Sequence, residues 1–546
     1  MIDGAHGGEF VAALKQRGRE APDALAFACG GERLTYGELL HDSSRLAAGL
    51  VAAGLAPRDR VALVLPAGLE FVRGFAAVTL AGAVPFAIPP EISPTLAMSR
   101  AARGRPALAL TSAAARERLA ATARDGAFPV LALEGLGRPP SPGVAPPPLP
   151  AIGPEDPAVL QLTSGTTGEP RFAVLSHRAL STWRQQAAGP FLAGPGDILA
   201  GWVPPWHVMG LLRFVVFPVI CGVETHLVPP AVRTLGSWLE TTARVRATFT
   251  AASDFALRTA VRLVGRQTLD LGALRCVVTG GEAVRASSIL AFEARFGLAG
   301  IVRPAYGLAE AMLAVTCARP GEPLATDPAG NVSCGRPLPG VAVRIVDERG
   351  AESGPGEPGE IRVRSASLFS GYFDDAPGDT RILEDGWLAT GDWGRLGPGG
   401  DLFVLGRRRN LLKHGGATIA PRELEEAAES VDGVAAAAAL ALGRPERGDP
   451  KASVLVVVVE ASRPIGARPD DLARDVAAAI RRAMGLLPGE VLVVEPGTLP
   501  RTDNGKLRHA ELRQALASAT LPPDRVLAGR LDGWSDWSDW SEGRSA

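Results

Sequence analysis

Four short stretches hold the residues best suited to chemistry. The first is LTSGTTGEPRFAVLSH (162–177), made only of Ser, Thr and Gly from Thr163 to Gly168. Such a loop turns backbone N–H groups and hydroxyls towards an anion. It ends on Arg171 and Phe172, and no Gly-Lys-Ser/Thr follows, so it is not a Walker loop. The second is RPAYGLAEA (303–311), where Tyr306 offers a face to a planar base and Glu310 a carboxylate to a metal ion. The third is DGWLATGDWGRL (385–396), whose Asp392 follows a Thr-Gly pair in a turn that suits two vicinal hydroxyls. The fourth is LPRTDNGKLRH (499–509), in which Asp503-Asn504-Gly505 lifts Lys506 out on a tight turn. Taken singly, each has an ordinary explanation: a plain turn, a helix-start glutamate, an Asx-turn, a solvated lysine.

The elements around them predict an α/β body. Helical apolar spacing follows Thr35 in LTYGELLHDSSRLAAGLVAAGL. DRVALVLP and VPFAIPP read as buried strands on either side of the helix GLEFVRGFAAVTLAGA, which implies a parallel, doubly covered sheet. A proline-rich connector (138–154) leads to the strand AVLQLT, which delivers the polar loop to the carboxyl end of a parallel sheet, where ligands bind in open α/β folds. LRCVVTGGEAV and GIVRPAYGLAEA continue the α/β pattern, and a β-rich stretch spans 341–368. After VLGRRRNLL (404–412) a smaller α+β pattern begins, with Leu472, Val476, Ile480 and Ala483 on one helix face. The expected organisation is an N-terminal domain over 1–406 with parallel α/β subdomains and a β-rich subdomain, and a hinge at 407–410. A mobile C-terminal lid over 411–525 follows, then a tail over 526–546. That tail repeats Trp534, Trp537 and Trp540 in Trp-Ser-Asp steps, and reads as disordered or as docking its tryptophans on the body.

Composition removes several classes of function. At 546 residues the chain is too long for one core. A net charge of −1 gives no electrostatic case for nucleic acid or an anionic membrane. The five cysteines are scattered without CxxC spacing, against a disulfide framework or a zinc site. The longest apolar run, LLRFVVFPVICGV, carries Arg213 and Pro218 and is too short to span a bilayer. The N-terminus lacks a signal pattern, and a cytoplasmic protein is expected.

The ordered set of motifs, with LGRRRNLLKHGG between the third and fourth, resembles the adenylate-forming superfamily of acyl-CoA synthetases, fatty acyl-AMP ligases, peptide-synthetase adenylation domains and luciferases. The resemblance runs from LTYGEL to GKLRH, nearly the whole chain. It implies that Thr163, Ser164, Gly165, Thr166, Thr167, Gly168 and Arg171 wrap the ATP phosphates. It implies that Gly280, Gly281, Glu282, Tyr306 and Gly307 line the adenine slot, that Glu310, with Thr163, holds Mg²⁺, and that Asp392 and Arg407 bind ribose. Arg409 falls on the hinge. Lys506 reaches the α-phosphate and the acyl carboxylate, and His207 gates an acyl pocket formed by Trp206, Met209, Gly210 and Met312. Gly415 and Gly416 fall on the CoA channel.

The family reaction is AMP-forming acid–thiol ligation. A carboxylate attacks the α-phosphate of ATP, then a thiol displaces AMP from the acyl-adenylate. Amino-acid-activating relatives place an aspartate just before the His207 position; here GWVPPWHVMGLLRF has no acidic residue, and burying an ammonium without a partner is costly. The expected substrate is therefore a bulky apolar carboxylic acid, with CoA as acceptor or, alternatively, a separate carrier protein. A non-catalytic acyl- or nucleotide-binding module on the same fold is the competing class. Relatives usually read Pro-Lys-Gly where this chain reads Pro170-Arg171-Phe172. Two readings of that ending stay open. In one, Phe172 forbids the backbone angles of the loop, adenylation is impaired and a preformed acyl-AMP is used. In the other, Phe172 packs into the core and the loop works normally.

Overall fold

The computed structural model describes residues 8–122, 128–136, 152–163, 171–187, 193–264, 268–328, 330–374, 385–414, 417–443, 453–462, 468–501 and 507–529. Three sheets build the large body. One is all parallel, in the order Val84–Ala87, Arg60–Val64, Leu108–Thr111, Val130–Ala132. The helix Leu69–Leu80 makes the crossover between its first two strands in sequence, and is buried on nearly every side because it lies between two sheets. The helix before it, Tyr36–Ala52, starts with a capping box: Thr35 Oγ1 accepts from the Glu38 N–H, and Glu38 accepts from the Thr35 N–H.

The second sheet has nine strands. Its centre is parallel and runs Val302–Tyr306, Cys276–Gly280, Phe249–Ala252, Ile198–Gly201, Glu224–Leu227, Leu25–Cys29. Short antiparallel strands close both edges. The apolar faces of these two sheets share one core with the helices between them. The third sheet is an antiparallel meander of Ala342–Val346, Gly359–Arg364, Leu388–Leu396 and Leu402–Arg407.

The strand Pro157–Leu162 departs from expectation. It joins neither parallel sheet but pairs antiparallel with Phe172–Ser176, Leu162 opposite Phe172. The strand before the polar stretch and the strand after it thus pair with each other, and the chain returns along a second strand instead of entering a helix. FAVLS is a compact apolar run, and it is buried at four of its five positions.

The lid begins with the hairpin Leu412–His414 and Ala417–Ile419. Its main sheet is Val434–Gly443, Ser453–Ala461, Glu490–Val494 and Val526–Ala528. Helices Pro421–Glu429 and Pro469–Met484 pack one face and His509–Ala517 the other. Cover on both faces explains the unbroken apolar runs AAAAALAL and SVLVVVVEA. Val526–Ala528 supplies an edge strand, so the lid does not end at 525; three residues after two prolines carry too little periodicity to betray a strand. The Trp-Ser-Asp repeats lie outside the described residues. Among those described, no helix is long and apolar enough to cross a membrane.

Candidate active site

The neighbouring parallel strands Cys276–Gly280 and Val302–Tyr306 end side by side, with Gly280 opposite Ala305. A Cβ on Gly280 would stand 2.3 Å from the Ala305 carbonyl oxygen, so the close approach needs glycine. Gly281 turns the chain with φ 77°, and Glu282 accepts from the Phe255 N–H at 2.8 Å, at the start of helix Asp254–Leu263. Glu282 is therefore anchored beside the slot predicted for adenine. Beyond Tyr306 the chain folds tightly back. A Cβ on Gly307 would lie 1.6 Å from the Leu313 carbonyl oxygen. Glu310 sits in this fold-back, on the single turn Ala309–Ala311.

Tyr306, Asp392 and Arg407 form one cluster. The Tyr306 hydroxyl donates to Asp392 Oδ2 at 2.7 Å across 86 residues of sequence, and Arg407 Nε lies 2.8 Å from Asp392 Oδ1. Asp392 and Arg407 are register partners on adjacent strands of the meander. The Asp392 N–H donates to Thr390 Oγ1 at 3.1 Å, and Arg407 reaches the Thr390 carbonyl at 3.3 Å. Burial, and then the negative charge of Asp392, raise the Tyr306 phenol well above its ordinary range, so it stays a donor.

A second cluster surrounds Glu310, which is buried. Its Oε1 accepts from the Tyr372 hydroxyl at 2.6 Å. The Arg171 guanidinium lies over the Tyr372 ring, 3.7 Å from its centre. Tyr306, which holds the carboxylate expected at ribose, and Glu310, expected at the metal, belong to one fold-back. Tyr372 escaped the sequence reading. The chain has only three tyrosines, and two hold carboxylates here while Tyr36 is in the core; that scarcity was the available signal. Among the described residues no three His, Cys, Asp or Glu side chains gather as a cage. A single carboxylate that meets a phosphate-bound ion is how Mg²⁺ is commonly held, and Glu310 fits that role.

Phe172 answers the question of the loop's ending. It is in strand conformation, its φ is not positive, and its side chain is 3% exposed. The ring packs edge-on to Phe86, centres 5.0 Å apart. Of the two open readings, the one in which Phe172 packs into the core matches its own placement: the side chain lies on the core side of the strand, at ordinary strand angles. Thr163 closes the neck of the hairpin, its N–H and hydroxyl both donating to the Arg171 carbonyl at 2.8 and 3.1 Å. Ser164, Gly165, Thr166, Thr167 and Gly168 lie outside the described residues.

On the side predicted for the acid, His207 caps the short turn Val208–Leu211, its Nδ1 accepting from the Met209 N–H at 3.3 Å. Buried Gln161, on the strand that leads to the polar loop, donates to the Trp206 carbonyl at 3.0 Å. A Cβ on Gly210 would fall 1.9 Å from the Pro204 carbonyl, so no side chain fits there. The helix then takes a π turn, Leu212–Val216, before Phe217–Cys221. Phe214 and Val215 of that turn, with Gly210, Phe71, Gly201 and Val203, line a narrow apolar crevice. Met209 and Met312 belong to the same core, and Trp206 packs against it. Met312 stands at φ 72°, ψ −60°, with the Leu313 N–H on the Ala311 carbonyl at 2.9 Å, a strained γ-turn.

The lid touches the body through charge. Arg285 pairs with Glu429 and lies 3.8 Å from Glu426, both on the lid helix Pro421–Glu429. Arg258 is 3.5 Å from Glu429 and 3.1 Å from Asp254, and Arg422 donates to the Val284 carbonyl at 2.6 Å. Arg409 lies in the short 3₁₀ turn Arg408–Asn410. Gly415, Gly416 and Lys506 fall outside the described residues.

Comparison with known proteins identifies the family and the fold. The profile of the family described as AMP-binding enzyme matches residues 14–373. The 4-hydroxyphenylalkanoate adenylyltransferase of Mycobacterium tuberculosis is 30% identical over 83% of this chain and 81% of its own. The chain belongs to the AMP-binding enzyme family, within the adenylate-forming superfamily. A structure from work on the fatty acyl-adenylate ligases of E. coli and L. pneumophila superimposes with a TM-score of 0.81, at 27% identity over 95% of this chain and 99% of that one. An anthranilate CoA ligase bound to anthranoyl-AMP shares the fold, with a TM-score of 0.82 at 21% identity over 94% and 98% of the two chains.

Proposed function

We propose that the protein activates a bulky apolar carboxylic acid as its acyl-adenylate and passes the acyl group to the thiol of CoA. One observation carries this reading: Tyr306 holds Asp392 at 2.7 Å while Tyr372 holds Glu310 at 2.6 Å, so carboxylates suited to ribose and to a metal-bound phosphate flank one fold-back. In the first half-reaction the acid's carboxylate oxygen bonds to the α-phosphorus and pyrophosphate leaves. Both partners are anionic, so fixed positive charge must lower the barrier. Arg171 and Lys506 supply it, and Asp392 with Arg407 hold the ribose. Glu310 would hold Mg²⁺, which when bound neutralises phosphate charge. In the second half-reaction the thiol sulfur bonds to the acyl carbon, AMP leaves, and the thiol proton passes to solvent. Buried Phe172 poses no obstacle to the first half-reaction, so both halves are assigned to this chain.

Two relatives, an adenylyltransferase and a fatty acyl-adenylate ligase, are named for the adenylate and not for CoA, which leaves room for a second reading in which a separate carrier protein takes the acyl group. Mass spectrometry of products from an acid library with ATP, alone, with CoA and with holo-carrier, tests both. Acyl-CoA and AMP are expected. Acyl-carrier without acyl-CoA would move the assignment to the second reading, and nucleotide binding without pyrophosphate release from any acid would leave a binding module.

A further inference from the structure

We propose that Tyr372 is a positioning residue that links Arg171 of the phosphate loop to the Glu310 carboxylate, and so governs uptake of a divalent cation with the nucleotide. The inference rests on the adenylating function proposed above and adds to it a coupling between two parts of the site.

Three segments distant in sequence meet on this ring. The isolated bridge between Ala173 and Tyr372 fastens 370–373 to the strand that follows the loop. Beside it the Val174 N–H donates to the Gly371 carbonyl at 2.9 Å and the Phe373 N–H to the Phe172 carbonyl at 2.8 Å. The Phe369 N–H donates to the Glu310 carbonyl at 2.9 Å, which ties the same segment to the fold-back. The Phe369 ring packs edge-on against Tyr372, centres 4.9 Å apart. The ring therefore has little freedom, and it is buried.

Charge runs through it. The Arg171 contact, at 3.7 Å, is the shortest cation–ring contact among the described residues; the next is 4.2 Å. A cation on the face of a phenol draws density from the ring and strengthens its O–H as a donor. That O–H meets the Glu310 carboxylate at 2.6 Å, in the range of short charge-assisted bonds. The bond fixes one carboxylate oxygen and so the direction of the other. An arginine suits this arrangement better than a lysine. Its planar group can lie flat on a ring and still turn an N–H edge outward, which a compact ammonium cannot do. The unusual Arg171 and the unremarked Tyr372 thus explain each other. Phosphates that reach Arg171 are sensed, through the phenol, at Glu310.

The test uses the full chain with Mn²⁺ as a paramagnetic probe, titrated in the presence of ATP. Thermal unfolding confirms that each variant folds. Tyr372→Phe keeps the ring and loses the hydroxyl, and is expected to weaken Mn²⁺ uptake roughly tenfold or more, as loss of a ligand's supporting hydrogen bond typically does. With ATP held at a concentration that saturates each variant, so that lost phosphate affinity at Arg171 does not enter, Arg171→Ala is expected to weaken Mn²⁺ uptake in the native background and to add nothing in the Tyr372→Phe background. Arg171→Lys, which keeps the loop's charge, is expected to follow Arg171→Ala in Mn²⁺ uptake. The Mg²⁺ dependence of pyrophosphate exchange should shift in the same order while the KM for the acid stays put. Native-like Mn²⁺ uptake by Tyr372→Phe, or independent additive effects of the two substitutions, overturns the coupling and leaves the adenylating function standing. Absence of both Mn²⁺–ATP uptake and exchange in the unaltered protein overturns that function, and this inference with it.

Discussion

Restoring the family's usual glycine at position 172 should damage this protein. Phe172 is 3% exposed and its ring meets Phe86, itself 1% exposed, edge-on at 5.0 Å. Truncating a buried phenylalanine costs about 3–5 kcal/mol. A glycine inside a strand adds about 0.5–1 kcal/mol through backbone freedom. Phe172→Gly is therefore expected to cost on the order of 4–6 kcal/mol, a large share of a typical domain's roughly 5–15 kcal/mol. Phe172→Leu keeps most of the volume and should cost less than about 1.5 kcal/mol. Urea unfolding followed by tryptophan fluorescence reports the change, since the helix directly after this strand carries buried Trp183. Pyrophosphate exchange measured alongside should be unchanged in Phe172→Leu. If Phe172→Gly unfolds at the native urea concentration and adenylates faster, the ring was obstructing the loop and the packing argument is wrong.

Tyr306→Phe removes the hydroxyl held by Asp392 and should weaken ATP binding by about 1–1.5 kcal/mol, roughly tenfold, read by calorimetric titration. Glu429→Gln removes a lid charge facing Arg258 and Arg285; docking should weaken by roughly 3 kcal/mol, and small-angle scattering should record a more open particle. Burial pushes the His177 imidazole down to about 4 against a weaker opposing pull from Asp156. Its ordinary value is 6.5, so its contribution is retained above pH 6.5 and is lost as pH falls towards 4, by on the order of 3 kcal/mol. His177→Gln should flatten that limb of the stability–pH curve.

Local pattern reached far into the fold because many elements carry their own instructions. Thr35 and Glu38 announce a helix start, and SVLVVVVEA announces a strand covered on both faces. The pairing of the strands around the polar loop departs from expectation because a strand before a glycine-rich loop suggests a parallel sheet, and only the pairing of Leu162 with Phe172 shows otherwise. The same pairing decides which way Phe172 points, which no single-strand pattern can. Motif order brought Tyr306, Glu310, Asp392 and Arg407 together as candidates. Tyr372 lay outside every motif, and its role rests on contacts with Arg171 and Glu310, which lie 201 and 62 positions away in the sequence: they exist only after three segments have folded onto one ring. The resemblance implied Met312 for the acyl pocket; its positive φ is imposed by the fold-back between Gly307 and Leu313, not by its own preference.

The π turn at Leu212–Val216 carries a consequence for how this protein can change its diet. A π turn is an α-helical turn with one residue to spare, and deleting that residue would tighten it to an ordinary α turn while the helix beyond keeps its register. Phe214 and Val215 border the crevice, so one lost codon could exchange the residues that face it while the helix stays whole. Selectivity in this wall is thus open to revision by length as well as by side chain.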